Sequence, residues 1–150
     1  MKTQAAPAAV DDASLRLAHS MFQADAASMA LGIEMVDIGH GHAAATMTVT
    51  ATMVNGHGIT HGGYVFLLAD TTFALACNSH GRPAVAARAD IRYIRPTRVG
   101  DVLAATAVER TRFGRNGIYD VSVTDSAGNL VAEFRGDSRV VGATPASDAS

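Results

Sequence analysis

The chain has 150 residues, a mass of 15.5 kDa, 48% hydrophobic residues and 17% charged residues, which fits one domain better than two. Its formal net charge of -2 and pI near 6.3 argue against a generally basic nucleic-acid-binding protein, and its apolar content argues against a disordered chain. The single cysteine, Cys77, excludes an intramolecular disulfide framework, so we expect a reducing compartment and assign the protein to the cytoplasm.

Both ends of the chain are small, polar and aperiodic. We therefore expect flexible segments at residues 1–12 and 143–150 around a single domain at 13–142. The first twelve residues carry one lysine, then acids, and no long apolar run, so they match neither a secretory signal nor a membrane anchor. From about Asp12, apolar residues recur at three- and four-residue steps, which predicts one amphipathic surface helix that ends near Gly32.

The rest of the chain alternates between strand patterns and one long apolar stretch. Residues 33–53 predict a strand pair that turns at His40-Gly41. The stretch from Gly63 to about His80 is apolar on almost every side and is long enough for nearly five helical turns. Four further strands are predicted, of which the last three form a meander; they cover residues 84–95, 101–112, 117–125 and 130–141. An apolar helix must be enclosed, so we predict an α+β fold in which an antiparallel sheet wraps it.

Asp70 is the one charged residue in this apolar stretch, and its neighbours three and four positions away are Phe66, Leu67, Phe73 and Ala74. Burial of an unpaired carboxylate is costly, and the usual response is a raised pKa or a dedicated partner. The sequence thus leaves two interpretations: Asp70 caps or salt-bridges another group, or it is a general base or nucleophile in a dry site.

The loop from Asn55 to Gly63 runs directly into the start of the same helix. The amides of Gly62 and Gly63 lie where unpaired N–H groups and the helix dipole favour negative charge. Glycines let a substrate carbonyl approach the backbone, and Asn55 can add a side-chain donor. The loop is either an oxyanion site or an ordinary glycine-rich helix start.

Gly62 and Asp70 are too far apart to act together within one chain. Eight residues of helix span about 12 Å, whereas reacting groups must approach to about 3 to 3.5 Å. Two such helices lying antiparallel across a two-fold axis would bring Asp70 of one subunit beside Gly62 of the other. If the two features cooperate, the sequence predicts a site shared across a homodimer.

Basic residues are unevenly distributed. Eight arginines fall between Arg82 and Arg115, where only three acids oppose them. The guanidinium group suits phosphate oxygens, which favours a nucleotide-bearing ligand, while solvated strand faces and Arg–Asp pairs are the alternative.

Four of the six histidines crowd two loops, namely His40, His42, His57 and His61. No carboxylate-rich or cysteine-bearing spacing accompanies them, so we expect no metal site. His57 and His61 are interpreted as loop-shaping or substrate-contacting groups, and Cys77 as a small buried hydrophobe rather than a nucleophile. The sequence also lacks a G-x-S-x-G motif, so it offers no candidate nucleophilic serine for serine hydrolase chemistry.

Three groups of residues carry a resemblance to a known family: Asn55-Gly56-His57 with His61-Gly62-Gly63, then Leu68-Ala69-Asp70-Thr71, then Ala76-Cys77-Asn78-Ser79. Together they resemble the hotdog-fold acyl-CoA thioesterases, most closely those of phenylacetic acid degradation, over about residues 18–142. The resemblance implies a long central helix wrapped by a five- to six-stranded antiparallel sheet, and homodimers that assemble into a homotetramer. It also implies hydrolysis of acyl-CoA thioesters such as phenylacetyl-CoA and its ring-hydroxylated analogues, with no metal or redox cofactor.

The resemblance further implies a role for individual residues. The Gly62 amide and Asn55 of one subunit bind the thioester carbonyl oxygen, and His61 shapes their loop. Asp70 of the other subunit activates water or attacks directly to give a mixed anhydride. The implied substrate-contacting residues are Gly63, Thr71, His57, Arg88, Arg92, Arg95 and Arg98, the arginines being candidates for the coenzyme A phosphates. Some relatives place a serine or threonine on the strand after the helix, where this sequence has alanines at 86, 87 and 89.

Two alternatives remain at this point. One is a module that binds or senses acyl-CoA without turning it over, although such a module gains nothing from a costly buried carboxylate. The other is a hotdog dehydratase acting on a 3-hydroxyacyl thioester, which would use a His–acid pair in place of a lone helical aspartate.

Overall fold

The computed structural model describes residues 13–142, which contain three α-helices and six β-strands. The flexible segments predicted at 1–12 and 143–150 lie outside the described residues. In chain order the elements are α1 Ala13–Gln23, α2 Ala26–Ala30, β1 Glu34–Gly39, β2 His42–Thr48, a 3₁₀ turn Ala51–Met53, α3 Gly62–Cys77, β3 Ala84–Tyr93, β4 Val102–Phe113, β5 Asn116–Thr124 and β6 Leu130–Val140.

The N-terminal helical segment is two helices, so the prediction of a single helix was wrong. α1 ends at Gln23, and the carboxylate of Asp25 caps α2 by accepting a hydrogen bond from the Ser28 amide at 3.0 Å. A capping side chain satisfies a free amide of a first helical turn and so starts a new helix. The hydrophobic pattern does not show this break, because Ala24 and Ala26 on either side of Asp25 keep the apolar spacing continuous. The Asp25–Ser28 spacing was the signal that marks it.

All six strands form one antiparallel sheet in the order β1-β2-β4-β5-β6-β3. The predicted meander is present as β4-β5-β6, and β1 and β2 turn at His40-Gly41, where Gly41 has a φ of 73° that favours glycine. Along β2, buried and partly exposed residues alternate, as expected for a strand with one face on the core.

α3 contacts all six strands, so the sheet encloses the apolar helix and the predicted hotdog fold is confirmed. Leu68, Phe73 and Leu75 of α3 are almost fully buried. The Phe73 ring packs against Tyr119 of β5 and Phe134 of β6, with ring centroids 5.6 and 5.7 Å apart. Aromatic packing of this kind fixes how α3 lies on the sheet.

α3 ends three residues before the predicted end at His80 because Asn78 redirects the chain. The Asn78 side-chain amide donates to the Ala84 carbonyl at 3.0 Å, and its Oδ1 accepts from the Ala84 amide at 2.9 Å. These two hydrogen bonds resemble those between paired strands, and they join the end of α3 to the start of β3. No hydrophobic pattern could show such a bond, because it depends on a residue brought close by the fold.

β3 is an edge strand, paired with β6 on one side only. Apolar side chains are exposed along it and just beyond it, including Val85 at 51% and Tyr93 at 56%. An open strand edge with apolar side chains is a surface that a second strand can pair with. Within residues 13–142, no helix combines the length and the apolarity needed to cross a bilayer.

Candidate active site

The start of α3 leaves one backbone donor free. His61 is the N-cap residue, and its Nδ1 accepts from the Gly63 amide at 3.0 Å, while the Tyr64 amide donates to the His61 carbonyl. The Gly62 amide donates no hydrogen bond to any of the described residues. The helix dipole adds to the positive character of that free N–H group. Of the two amides predicted to form an anion site, that of Gly63 is therefore committed to the cap, and that of Gly62 is free.

Asn55 holds the preceding loop in shape and keeps its own donor free. Its Oδ1 accepts from the amides of His57 at 2.9 Å and Ile59 at 3.4 Å. Since Oδ1 faces those amides, the Nδ2 group points elsewhere, and it donates no hydrogen bond to any described residue. The Nδ2 group is thus free to donate to a ligand, whereas the exposed His57 contributes its backbone amide to the turn.

Two further contacts fix the loop and were not visible in the sequence. Thr97, after β3, donates its hydroxyl to Thr60 at 2.7 Å, and the Thr60 amide donates to the Thr97 carbonyl. Tyr93 donates its hydroxyl to the Gly62 carbonyl at 2.9 Å. A Cβ atom added to Gly62 would lie 2.9 Å from the Tyr93 ring, so glycine is needed for this close approach. These residues are far apart in sequence, and no motif connects them.

Asp70 lies in the middle of α3, facing an apolar cavity of about 250 Å³. The cavity is lined by Met21 of α1, by Phe73, Ala74 and Cys77 of α3, and by Ala84, Val85 and Ala86 of β3. No hydrogen bond or ion pair to the Asp70 carboxylate is found among the described residues, which argues against the interpretation of Asp70 as a cap or salt-bridge partner. Burial raises the pKa of Asp70 above its usual range, and the negative charge of Asp25 raises it further.

Thr71 lies next to Asp70 but faces α2. Its Oγ1 is 2.8 Å from the hydroxyl of the fully buried Ser28, which in turn donates to Asp25 at 2.6 Å. Of the alanines at 86, 87 and 89, Ala86 lines the cavity at Asp70, together with Ala84. No serine or threonine of β3 is available there to orient water.

Gly62 is the first residue of α3 and Asp70 lies in its middle, about 12 Å away along the helix axis. A single chain does not bring the carboxylate to the free amide. The open edge of β3 and the cavity beside it lie on the same side of the molecule as Asp70, since Val85 and Ala86 belong to both.

The four candidate arginines fall into two groups. Arg88 and Arg92 lie on the outer face of the sheet, where they pair in register with Asp137 and Glu133 of β6. Opposite charges facing each other across strands stabilise the sheet and leave little net charge for an anion. Arg95 instead lines an apolar groove of about 340 Å³ beside Tyr93, at the start of α3.

Arg98 lies close to the glycine loop, with Nη1 3.5 Å from the Gly58 carbonyl. The structure therefore brings Arg95 and Arg98 toward the start of α3, and leaves Arg88 and Arg92 among acids on the other face of the sheet.

The histidines do not form a metal centre. Within the described part of the chain, no three His, Cys, Asp or Glu side chains are placed to share a metal ion. Between described residues, His42 pairs with Asp37 at 2.8 Å on the β1–β2 hairpin, and His80 pairs with Glu109 at 2.9 Å beyond the C-terminal end of α3. Neither pair is at the free Gly62 amide.

The Cys77 thiol is unreactive. Cys77 is 5% exposed, and burial together with the charge of Asp70 raises the pKa of its thiol to about 12. A thiol with so high a pKa is protonated at neutral pH and is a poor nucleophile. This agrees with its interpretation as a small buried hydrophobe.

Comparisons with known proteins agree with this geometry. The sequence profile of the thioesterase superfamily matches residues 57–132. Acyl-coenzyme A thioesterase PaaI of Escherichia coli K12 is 47% identical over 127 residues, which are 85% of this chain and 91% of that protein. The structure of the E. coli PaaI protein from the phenylacetic acid degradation operon superposes with a TM-score of 0.85 and 45% identity, and covers 88% of this chain and 96% of that one.

A solved structure with a ligand is also similar. The smu.793 protein of Streptococcus mutans UA159, bound to acetyl-CoA, has a TM-score of 0.71 and 29% identity, with 75% of this chain and 91% of that chain covered.

Proposed function

This chain belongs to the thioesterase superfamily and is a thioester hydrolase, and on that premise we propose that it cleaves acyl-CoA thioesters by a site shared between two subunits. The observation that carries the mechanism is Asp70, a half-buried carboxylate that faces an apolar cavity and has no partner among the described residues. A carboxylate kept in such a place at a cost in free energy is typical of a group with a chemical task.

In the proposed reaction, the thioester carbonyl oxygen accepts hydrogen bonds from the Gly62 amide and the Asn55 side chain of one subunit. Asp70 of the other subunit removes a proton from water as the water oxygen attacks the carbonyl carbon. The resulting oxyanion is stabilised by the same two donors. When the carbon–sulfur bond breaks, the proton passes to the leaving thiolate, and the free acid and coenzyme A are released.

Direct attack by Asp70 is the second route to the same products. A bond then forms between a carboxylate oxygen and the acyl carbon, coenzyme A leaves, and water hydrolyses the mixed anhydride. A single turnover in ¹⁸O-labelled water tests for this route. Label in the Asp70 carboxylate would show an anhydride cleaved by water at the Asp70 carbonyl, whereas label in the product acid is expected both for a general base and for an anhydride cleaved at the acyl carbonyl.

A homodimer formed through the β3 edges would bring Gly62 of one subunit close to Asp70 of the other. Pairing of two β3 strands, with their α3 helices antiparallel, would set Asp70 of one subunit beside Gly62 of the other. The exposed apolar residues of β3 support this pairing. We further propose that two dimers form a homotetramer, which light scattering of the purified protein would test.

The acyl group and the coenzyme A portion would occupy different surfaces. The cavity at Asp70 is apolar and, at about 250 Å³, has room for a phenylacetyl group and ring-hydroxylated analogues. The groove that contains Tyr93 and Arg95, with Arg98 nearby, has the apolar walls and cationic rim that suit pantetheine and phosphates. We propose that the enzyme works in the cytoplasm and without a metal or redox cofactor.

A thiol-release assay with a panel of acyl-CoAs tests the function. Phenylacetyl-CoA and its hydroxylated forms should be hydrolysed fastest, and Asp70→Asn should lose turnover while still binding substrate. Binding without turnover in the wild-type protein would indicate an acyl-CoA sensor. Water loss from a 3-hydroxyacyl-CoA would indicate a dehydratase, for which no His–acid pair stands at the Gly62 amide among the described residues.

A further inference from the structure

A chain of hydrogen bonds links the candidate site to the helical segment at the N-terminus. The Asp25 carboxylate accepts from the Ser28 amide at 3.0 Å and from the Ser28 hydroxyl at 2.6 Å. The Ser28 oxygen lies 2.8 Å from the hydroxyl of Thr71, the residue that follows Asp70 on α3. Asp25 and Ser28 lie outside residues 57–132, where the superfamily profile matches.

The direction of these bonds follows from counting protons. Ser28 has one hydroxyl proton, and the Asp25 carboxylate is an acceptor only, so that proton points to Asp25. Thr71 must then donate its own proton to the Ser28 oxygen. The hydroxyl of Thr71 is therefore committed to α2 and has no proton left for Asp70 or for a substrate.

Burial makes this link a rigid one. Ser28 is 0% exposed and Thr71 is 7% exposed, so water does not replace either hydroxyl easily. Breaking one of these bonds would leave a buried polar group without a partner, which is costly. The link therefore ties α2 to α3 at the turn of α3 that carries Asp70 and so fixes the direction in which Asp70 points.

Asp25 also acts on Asp70 through its charge, and it is the one charged group of the described residues that does so. Its charge contributes to the raised pKa of Asp70, after burial itself. The other residues facing Asp70 are Met21 of α1, the apolar residues 84–86 of β3, and the thiol of Cys77, which is neutral because its pKa is raised to about 12.

We propose that Asp25 is a positioning residue for hydrolysis: acting through Ser28 and Thr71, it fixes the rotation of α3 that directs Asp70 into its cavity, and it places a second negative charge beside that carboxylate. The proposal rests on the proposed function of Asp70. It gives the α1–α2 segment a part in catalysis that does not require contact with substrate.

Two variants test the charge and the contact. Asp25→Asn keeps one capping oxygen for the Ser28 amide and removes the charge, and it also puts an NH2 group where the second oxygen accepts from the Ser28 hydroxyl. Ser28→Ala keeps the charge but breaks the link to Thr71. Asp37→Asn, on the β1–β2 hairpin and paired only with His42 in the described residues, is a matched control for the loss of one carboxylate from the protein. Circular dichroism and thermal melting establish that each variant is folded.

The readout is the pH dependence of kcat and KM with phenylacetyl-CoA. We expect Asp25→Asn to move the acidic limb of the kcat profile to lower pH, because removal of a neighbouring negative charge lowers the pKa of Asp70. We expect Ser28→Ala to lower kcat by about tenfold with that limb unmoved, since a small misplacement of a reacting group costs up to about 10²-fold. KM should stay within about twofold in both, and Asp37→Asn should match the wild type.

Other results would overturn the proposal. A wild-type pH profile in Asp25→Asn, a wild-type kcat in Ser28→Ala, or changes confined to KM would each do so. If Ser28→Ala does not fold, the Asp25→Asn profile decides alone, supported by the Asp70 pKa measured by carboxyl ¹³C NMR. Inactivity of Asp70→Asn alongside these failures would remove only the positioning role, whereas wild-type turnover in Asp70→Asn would remove the proposed function and this role together.

Discussion

At the residue scale, the molecule maintains one carboxylate and one backbone amide in states that cost stability. Asp70 faces apolar side chains without a partner, and the Gly62 amide has no acceptor among the described residues. Both groups would form more hydrogen bonds in water. Both groups could be predicted from the sequence alone, because it shows a charged residue within an apolar helix and glycines at the start of that helix. It gave no sign of Tyr93, Ser28 or Thr97, because their contacts arise only when distant elements meet.

The raised pKa of Asp70 predicts how activity depends on pH. The carboxylate must be ionised to take a proton from water or to attack, so kcat should fall as pH drops through the raised pKa. The acidic limb should therefore lie above pH 3.8, the ordinary value for aspartate. A pH–rate profile of the folded enzyme measures this, and a profile that is flat down to pH 4 would be inconsistent with the burial of Asp70.

The same shift predicts an unusual effect on stability. A carboxyl whose pKa is raised by folding binds its proton more readily in the folded state, so ionisation at neutral pH destabilises the fold. Asp70→Asn should thus melt at the same or a higher temperature than the wild type at pH 7.5. The difference should shrink at lower pH, where Asp70 is protonated and resembles a neutral side chain. A clear fall in melting temperature at pH 7.5 would contradict this.

Gly62 allows a direct test of the backbone donor. Proline is well tolerated at the first position of a helix, and the extended conformation of His61 suits a residue before proline. Gly62→Pro removes the free N–H group, while Gly62→Ala introduces a comparable Cβ atom against Tyr93 and keeps it. We expect kcat/KM of the proline variant to be about 10²-fold below that of the alanine variant. Equal values would show that this amide does not stabilise the oxyanion.

At the element scale, α3 has two tasks, filling the core and carrying the site. The hydrophobic pattern predicted α3 and most strands to within a few residues, because helix and strand periodicities follow from burial, but β2 ends at Thr48 and the last predicted residues form the 3₁₀ turn Ala51–Met53. It failed between α1 and α2, where Asp25 restarts the helix, and at Asn78, which stops α3 by bonding to β3. In both places one polar side chain overrides the hydrophobic pattern.

The position of α3 on the sheet depends on space at Gly136 of β6. A Cβ atom added there would lie 2.8 Å from the ring of Phe73, which is 1% exposed and held between Tyr119 and Phe134. Gly136→Ala should destabilise the protein by about 1 to 3 kcal/mol through overpacking. Gly56→Ala, where nothing lies within 4 Å, is the control and should change stability far less. Urea unfolding measures both, and equal effects would contradict the packing of α3 described above.

At the scale of the whole molecule, the proposed site combines Gly62 and Asp70, which a single chain keeps about 12 Å apart along α3. The resemblance implied a dimer, and the described residues add an open β3 edge beside the cavity of Asp70. Among the arginines, the sequence could not separate Arg95 and Arg98, near the start of α3, from Arg88 and Arg92, which face acids across the sheet. Strand partners decide that difference, and they are set by the fold.

The most direct test of a shared site is the activity of a heterodimer that carries Asp70→Asn in one subunit and Gly62→Pro in the other. The two variants, given different affinity tags, are co-expressed, and the mixed dimer is isolated by purification on both tags. One of its two sites then combines an intact Asp70 with an intact Gly62 from the opposite subunit, so phenylacetyl-CoA hydrolysis should recover to about half of the wild-type rate. If the purified heterodimer is as inactive as each parent homodimer, Asp70 and Gly62 do not act across the interface, and the mechanism is wrong.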